Sequence, residues 1–200
     1  MIIYDDLLTL REFYSYYIKI QIEEKKEIVL INPFYETTDS VRETLSSGHK
    51  AIDVTKYEGK EKKLVISDSL KKYLGYKEEA GEEKIAGQID ESKQNRRLNI
   101  KTTNKEKVGT SHWWDDNKQM IEHADKMGNV GLSILADAGA FHFMRKTTEL
   151  LEYECSLPKQ FDLNLKAFCL YHQKDFDRLS EEQKQELVNH HGKVIKIEAH

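Results

Sequence analysis

The sequence predicts one α/β domain, a three-layer α/β/α sandwich with a mainly parallel central sheet. Three observations point there. Short apolar runs alternate with stretches of helical periodicity along the 200 residues. Most of those runs are continuously apolar, as expected of strands covered on both faces. The length suits one hydrophobic core better than two.

The elements follow in order. Ile2-Ile3-Tyr4 reads as a strand, and Leu7, Leu10, Tyr14, Tyr17, Ile18 and Gln21 repeat at helical spacing after it. Asp5 or Asp6 suits the cap of that helix. Residues 27–32 form a buried strand, and 40–47 a helix with Ser40 and Glu43 as a capping box and Gly48 beyond its end. Residues 51–54 and 63–67 read as short strands, and 69–74 as a short helix. From 76 to 110 the pattern dissolves into charged and small polar residues, as in a mobile loop or lid. Trp113, Asn117, Met120, Ile121, Ala124 and Met127 then mark a helix ended by Gly128. Residues 130–136 form a strand, and Asp137 caps a helix over about 139–153, stopped before Pro158. Residues 165–171 form a strand. Ser180 and Gln183 box the start of a helix running to about His190, Gly192 stops it, and 194–197 close the chain as a strand.

Composition narrows the function. The formal net charge of −4 lacks the basic excess of a nucleic-acid binder, so direct nucleic-acid binding is not expected. The basic residues Lys93, Arg96, Arg97, Lys101, Lys105 and Lys107 read as a solvated face. No apolar run has membrane-spanning length and the start has no export signal, so a cytoplasmic location, no membrane contact and reduced cysteines are expected. Cys169 reads as a small core residue, and a disulfide to Cys155 is not expected.

A phosphate-binding loop would place G-x-x-x-x-G-K-[ST] after the first strand. Asp5-Asp6-Leu7-Leu8 stand there instead, and two carboxylates would repel a triphosphate. Asp137 sits where a magnesium-binding acid could follow a later strand, but it reads as a helix cap. The histidines lack chelating spacing, and His190 and His191 point to different helix faces, so no metal and no cofactor are expected. No G-x-S-x-G elbow or other catalytic constellation emerges, so no enzyme activity is expected. Trp113 belongs to a core stripe. Trp114 covers the core edge, lines a pocket or meets a partner.

Tyr4, Asp5, Asn32, Ser67, Asp68, Asp137, Tyr171 and His172 all end or follow predicted strands. A parallel sheet would bring them to its carboxyl edge, where open α/β sheets bind ligands. With Trp114, and without Ser67, they make the candidate ligand site. Capping alone would account for Asp5, Asp68 and Asp137 one by one.

The opening Ile2-Ile3-Tyr4-Asp5-Asp6 with its aromatic helix, followed by Lys26-Glu27-Ile28-Val29-Leu30-Ile31, resembles the methanogen/methylotroph sensory (MEDS) domain. So do Leu150-Leu151-Glu152-Tyr153-Glu154, Leu170-Tyr171-His172-Gln173-Lys174-Asp175-Phe176 and His190-His191-Gly192. The resemblance spans the chain outside about 76–110. It implies a RecA-like fold without the phosphate-binding loop, related to circadian-clock-type ATPases. It further implies a non-catalytic sensor of a small organic molecule, acting through a regulatory partner such as a histidine kinase or transcription factor. A homodimer is compatible with it. The alternatives are a degenerate nucleotide-binding protein and an interaction scaffold without a ligand.

Overall fold

The computed structural model describes residues 1–74, 110–161 and 163–198, without the side chains of Leu74 and residues 110–116. Six strands form one all-parallel sheet: β1 (Ile2–Tyr4), β2 (Glu27–Asn32), β3 (Leu64–Ile66), β4 (Gly131–Asp137), β5 (Leu165–His172) and β6 (Ile195–Ile197). Their spatial order is β3-β2-β4-β5-β1-β6. The register pairs Tyr4 with His172 and Asn32 with Ala136, so these strand ends meet along one edge.

The sheet separates two cores. On one face lie Ile2, Tyr4, Val29, Ile31, Leu135 and Leu170, under helices α1 (Leu7–Lys19) and α2 (Thr38–Leu45). On the other lie Ile28, Leu30, Leu132, Ile134, Cys169 and Tyr171. That face is covered by α4 (Thr110–Lys126), α5 (Gly139–Phe143), α6 (Thr147–Ser156) and α8 (Glu181–His191), with Tyr73 of α3 (Ser69–Leu74) packed beside it. This is the expected α/β/α sandwich. Successive strand residues point to opposite faces, so each buried strand feeds both cores.

Several local expectations need correction. Helix α1 does not simply continue its period. It passes into a π-helical turn over Ile20–Glu24, whose added residue lets the adjacent Gln21 and Ile22 both be buried. Helix α2 starts earlier, capped by Thr37 accepting from the Ser40 N–H at 3.0 Å, so Ser40 is inside the helix. Residues 51–54 form no strand. They lead into a π-helical turn at Thr55–Lys60, and the Asp53 carboxylate accepts from the Lys56 N–H at 2.9 Å. The helix expected over 139–153 is two helices, broken at Met144–Lys146, where Arg145 adopts φ 56°. No glycine marks that break. Between β5 and α8 lies an unforeseen short helix, α7 (Gln173–Asp177).

Other expectations hold. Asp6 caps α1 from Thr9 N (2.8 Å), and the Ser180–Gln183 capping box and the positive φ of Gly192 bound α8. Both cysteines are free. The expected loop over 76–110 lies outside the described residues except for Thr110, which opens α4, and so does the basic stretch. No helix among the described residues is long and apolar enough to cross a membrane.

Candidate functional site

At the carboxyl edge, Tyr4 and Asp137 meet. The Tyr4 hydroxyl donates to Asp137 Oδ2 at 2.9 Å, and Oδ1 accepts from the Gly139 N–H at 2.8 Å. Asp137 is therefore the last residue of β4. It serves the first amide of α5 while bonded across the sheet, and it is more than the simple cap expected. Asp137 is 2% exposed, and burial pushes its pKa up to about 7, against the pull of the Gly139 and Tyr4 bonds. Burial, and then the neighbouring Asp137, raise the Tyr4 phenol well above its ordinary range.

His172 joins them, its ring edge-on to Tyr4 at 5.2 Å between centroids. Its Nδ1 accepts from the Lys174 N–H at 3.1 Å, so the imidazole caps α7 in its neutral form, and burial lowers its pKa. Two residues absent from the sequence-derived set complete the cluster. Tyr35 packs on His172 with 4.9 Å between centroids and donates its hydroxyl to the buried Asp175 of α7. Phe34 stacks edge-on against Tyr35 at 4.9 Å. A Cβ on Gly139 would stand 2.3 Å from Phe34 Cδ1 and 2.8 Å from Tyr35 Cε2. The loop after β2 thus folds across the edge and fills it.

The remaining sequence-derived residues scatter. Asn32 is buried and donates to the Tyr73 hydroxyl at 3.0 Å, while its Oδ1 has no partner among the described residues. Asp5 is exposed, and Asp68 caps α3 through the Lys71 N–H at 3.0 Å. Trp114 lies on α4, with its side chain outside the described residues. Tyr171 does not join the edge. It faces the other core, one residue and therefore one face away from His172, and donates to Glu154 Oε1 at 3.2 Å.

On that second face a small cavity of about 20 Å³, room for about one water, lies between β4, β5, α5 and α6. Ile134, Phe141, Leu150 and Leu157 give it an apolar wall. Tyr73, Asp137, Glu154 and Cys169 also line it. Behind it Glu154, 4% exposed, accepts from Cys169 Sγ at 3.1 Å, and His191 Nε2 lies 3.4 Å from the same carboxylate oxygen. Burial and Glu154 together raise the Cys169 thiol well above its ordinary range. This is the opposite of an activated cysteine nucleophile.

This cluster is not legible in the sequence because its members, Glu154, Cys169 and His191, lie 15 and then 22 residues apart on α6, β5 and α8. One signal was present: Cys169 and Tyr171 are two apart on a strand and share a face.

No family model matches this chain, and no curated protein or solved structure does either.

Proposed function

We propose that the chain is a non-catalytic sensory module, and that a small, largely apolar organic molecule enters between β4, β5, α5 and α6 by displacing side chains and widening the small cavity there. The observation that carries this reading is the composition of the lining, an apolar wall of Ile134, Phe141, Leu150 and Leu157 with a few polar residues among it. The strand edge itself, filled by Tyr35 and Phe34, is a poorer candidate than the sequence pattern suggested. Asp137 and Tyr73 connect the two, since Asp137 closes the Tyr4 cluster and both residues line the cavity.

A non-catalytic role suits the polar groups present. Cys169 is a buried thiol donating to a carboxylate, and Asp137 is tied to a phenol and to backbone N–H. Triphosphate binding is disfavoured at the first turn, where Asp6 already occupies the start of α1 through Thr9 N and Oγ1. In keeping with the MEDS resemblance, the ligand signal would pass to a regulatory protein partner.

A thermal-shift screen of small organic molecules against the full chain tests the reading. A ligand at a hundred times its Kd stabilises by about 2.7 kcal/mol, a Tm rise of roughly 5–10 °C for a chain this size. Ala167 lines the cavity, and Ala167→Leu should abolish the shift while leaving the fold intact. A ligand whose shift survives Ala167→Leu, or a screen with no stabilising compound at millimolar concentration, would overturn the assignment.

A further inference from the structure

We propose that Glu154, Cys169 and His191 form a site for one divalent metal ion of the zinc class, with its fourth position turned toward the cavity. The three residues come from α6, β5 and the end of α8. Each offers one donor atom, and these atoms lie within 4.8 Å of one another.

The geometry is close to what an ion requires. Tetrahedral bonds of about 2.0–2.3 Å place neighbouring donors roughly 3.3–3.8 Å apart. Cys169 Sγ and His191 Nε2 stand 3.1 Å and 3.4 Å from the same Glu154 oxygen. Small side-chain rotations would open a central position.

The surroundings favour it as well. His191 Nδ1 lies 2.8 Å from the Leu187 carbonyl, which makes that nitrogen a donor and leaves Nε2, facing Glu154, as the ring nitrogen that would bind an ion after giving up any proton it carries. The other Glu154 oxygen accepts from Tyr171 at 3.2 Å, an orienting bond of the kind that supports ligating carboxylates. Thiolate and carboxylate together balance a divalent charge, and binding releases the thiol proton to solvent. Glu154 and Cys169 also line the cavity, so a water or a ligand atom can complete the coordination. A thiolate, imidazole and carboxylate set suits zinc better than magnesium or calcium.

The inference does not rest on the organic-ligand reading, because the three donors stand whether or not a molecule enters the cavity. The competing account is that His191 and the nearby amino terminus of Met1 partner Glu154 without any ion. That terminus feels both Cys169 and Glu154.

Cobalt titration of the untagged, chelator-stripped full chain separates the two. The site predicts one equivalent of Co²⁺, tetrahedral visible bands and a near-ultraviolet thiolate-to-cobalt charge-transfer band, all displaced by Zn²⁺. The chain has two cysteines, so Cys155→Ser leaves Cys169 as the sole thiol and should keep the full spectrum. Cys169→Ser should lose the charge-transfer band and bind at least ~100-fold more weakly, beyond the usual effect of losing only an orienting contact. His191→Ala should weaken binding likewise. If Cys169→Ser fails to fold, the Cys155→Ser spectrum still decides. A Co²⁺ titration without the charge-transfer band in wild type and Cys155→Ser would overturn the site, as would unchanged affinity in Cys169→Ser.

Discussion

Replacing Asp137 with Asn should change how stability depends on pH, by an amount the structure sets. The Asp137 pKa rises from an ordinary 3.8 to about 7 because the carboxyl is buried. Below pH 3.8 the folded and unfolded chains both hold this proton, and the group adds no pH dependence. Between pH 4 and 7 the unfolded chain releases it while the folded chain retains it. Folding then takes up a proton, and each pH unit costs about 1.4 kcal/mol. Above pH 7 both states are ionised and the cost is constant. Across the whole window the loss is on the order of 4 kcal/mol. Asn keeps the shape and an oxygen for the Gly139 N–H. Its amide faces the Tyr4 hydroxyl, which can turn and accept. The variant carries no titrating proton there. Urea unfolding of both proteins at pH 5, 6, 7 and 8 should show the variant gaining roughly 2–3 kcal/mol on the wild type from pH 5 to 7, then no more. Carboxylates common to both proteins cancel in that difference. Parallel curves through this window would refute the account of a buried, proton-retaining Asp137.

Three further outcomes test the packing around the site. Gly139→Ala should destabilise by about 1–3 kcal/mol, because the added methyl meets the rings of Phe34 and Tyr35; thermal or urea unfolding measures it. Arg11→Ala should cost about 1–3 kcal/mol in urea unfolding, chiefly by taking its charged partner from the buried Glu36 carboxylate, 2.6 Å from the Arg11 Nε, which keeps the Tyr14 and Ser40 hydroxyls; the partly exposed Arg11 end itself contributes little. Leu150→Ala, at a fully buried position on the cavity wall, should cost about 2–5 kcal/mol in chemical unfolding and enlarge the space for a ligand.

The layered fold was legible because the signal that predicts it is physical and local. Ile28-Val29-Leu30-Ile31 is apolar throughout because both sheet faces are covered, and it lies second from one side of a parallel sheet. The start of α1 was legible for the same kind of reason, since Asp6 caps it whatever the rest of the chain does. What failed depended on tertiary arrangement. Placing Tyr171 and His172 at one edge ignored the strand period, which sends them to opposite cores. Asp175 stayed hidden because α7, at five residues, is too short to show a helical period. Tyr35 could not be placed without knowing that the loop after β2 folds back across Gly139.

Two buried carboxyl groups meet the same cavity, and their neighbours show how each is accommodated. An isolated carboxylate in an apolar interior is costly, so it retains its proton or finds a positive partner. Asp137 is surrounded by a phenol and backbone N–H groups, donors too weak to hold an anion against full burial, and it is pushed toward the protonated form. Glu154 has different neighbours: a thiol that can ionise and an imidazole whose Nε2 points at it. Those groups can bring a cation to the carboxylate, while those around Asp137 cannot. The chain therefore places a carboxyl that keeps its proton up to about pH 7 and a metal-capable triad around one apolar cavity. That pairing makes Asp137→Asn and Cys169→Ser separable probes: the first alters proton uptake on folding, and the second alters metal affinity.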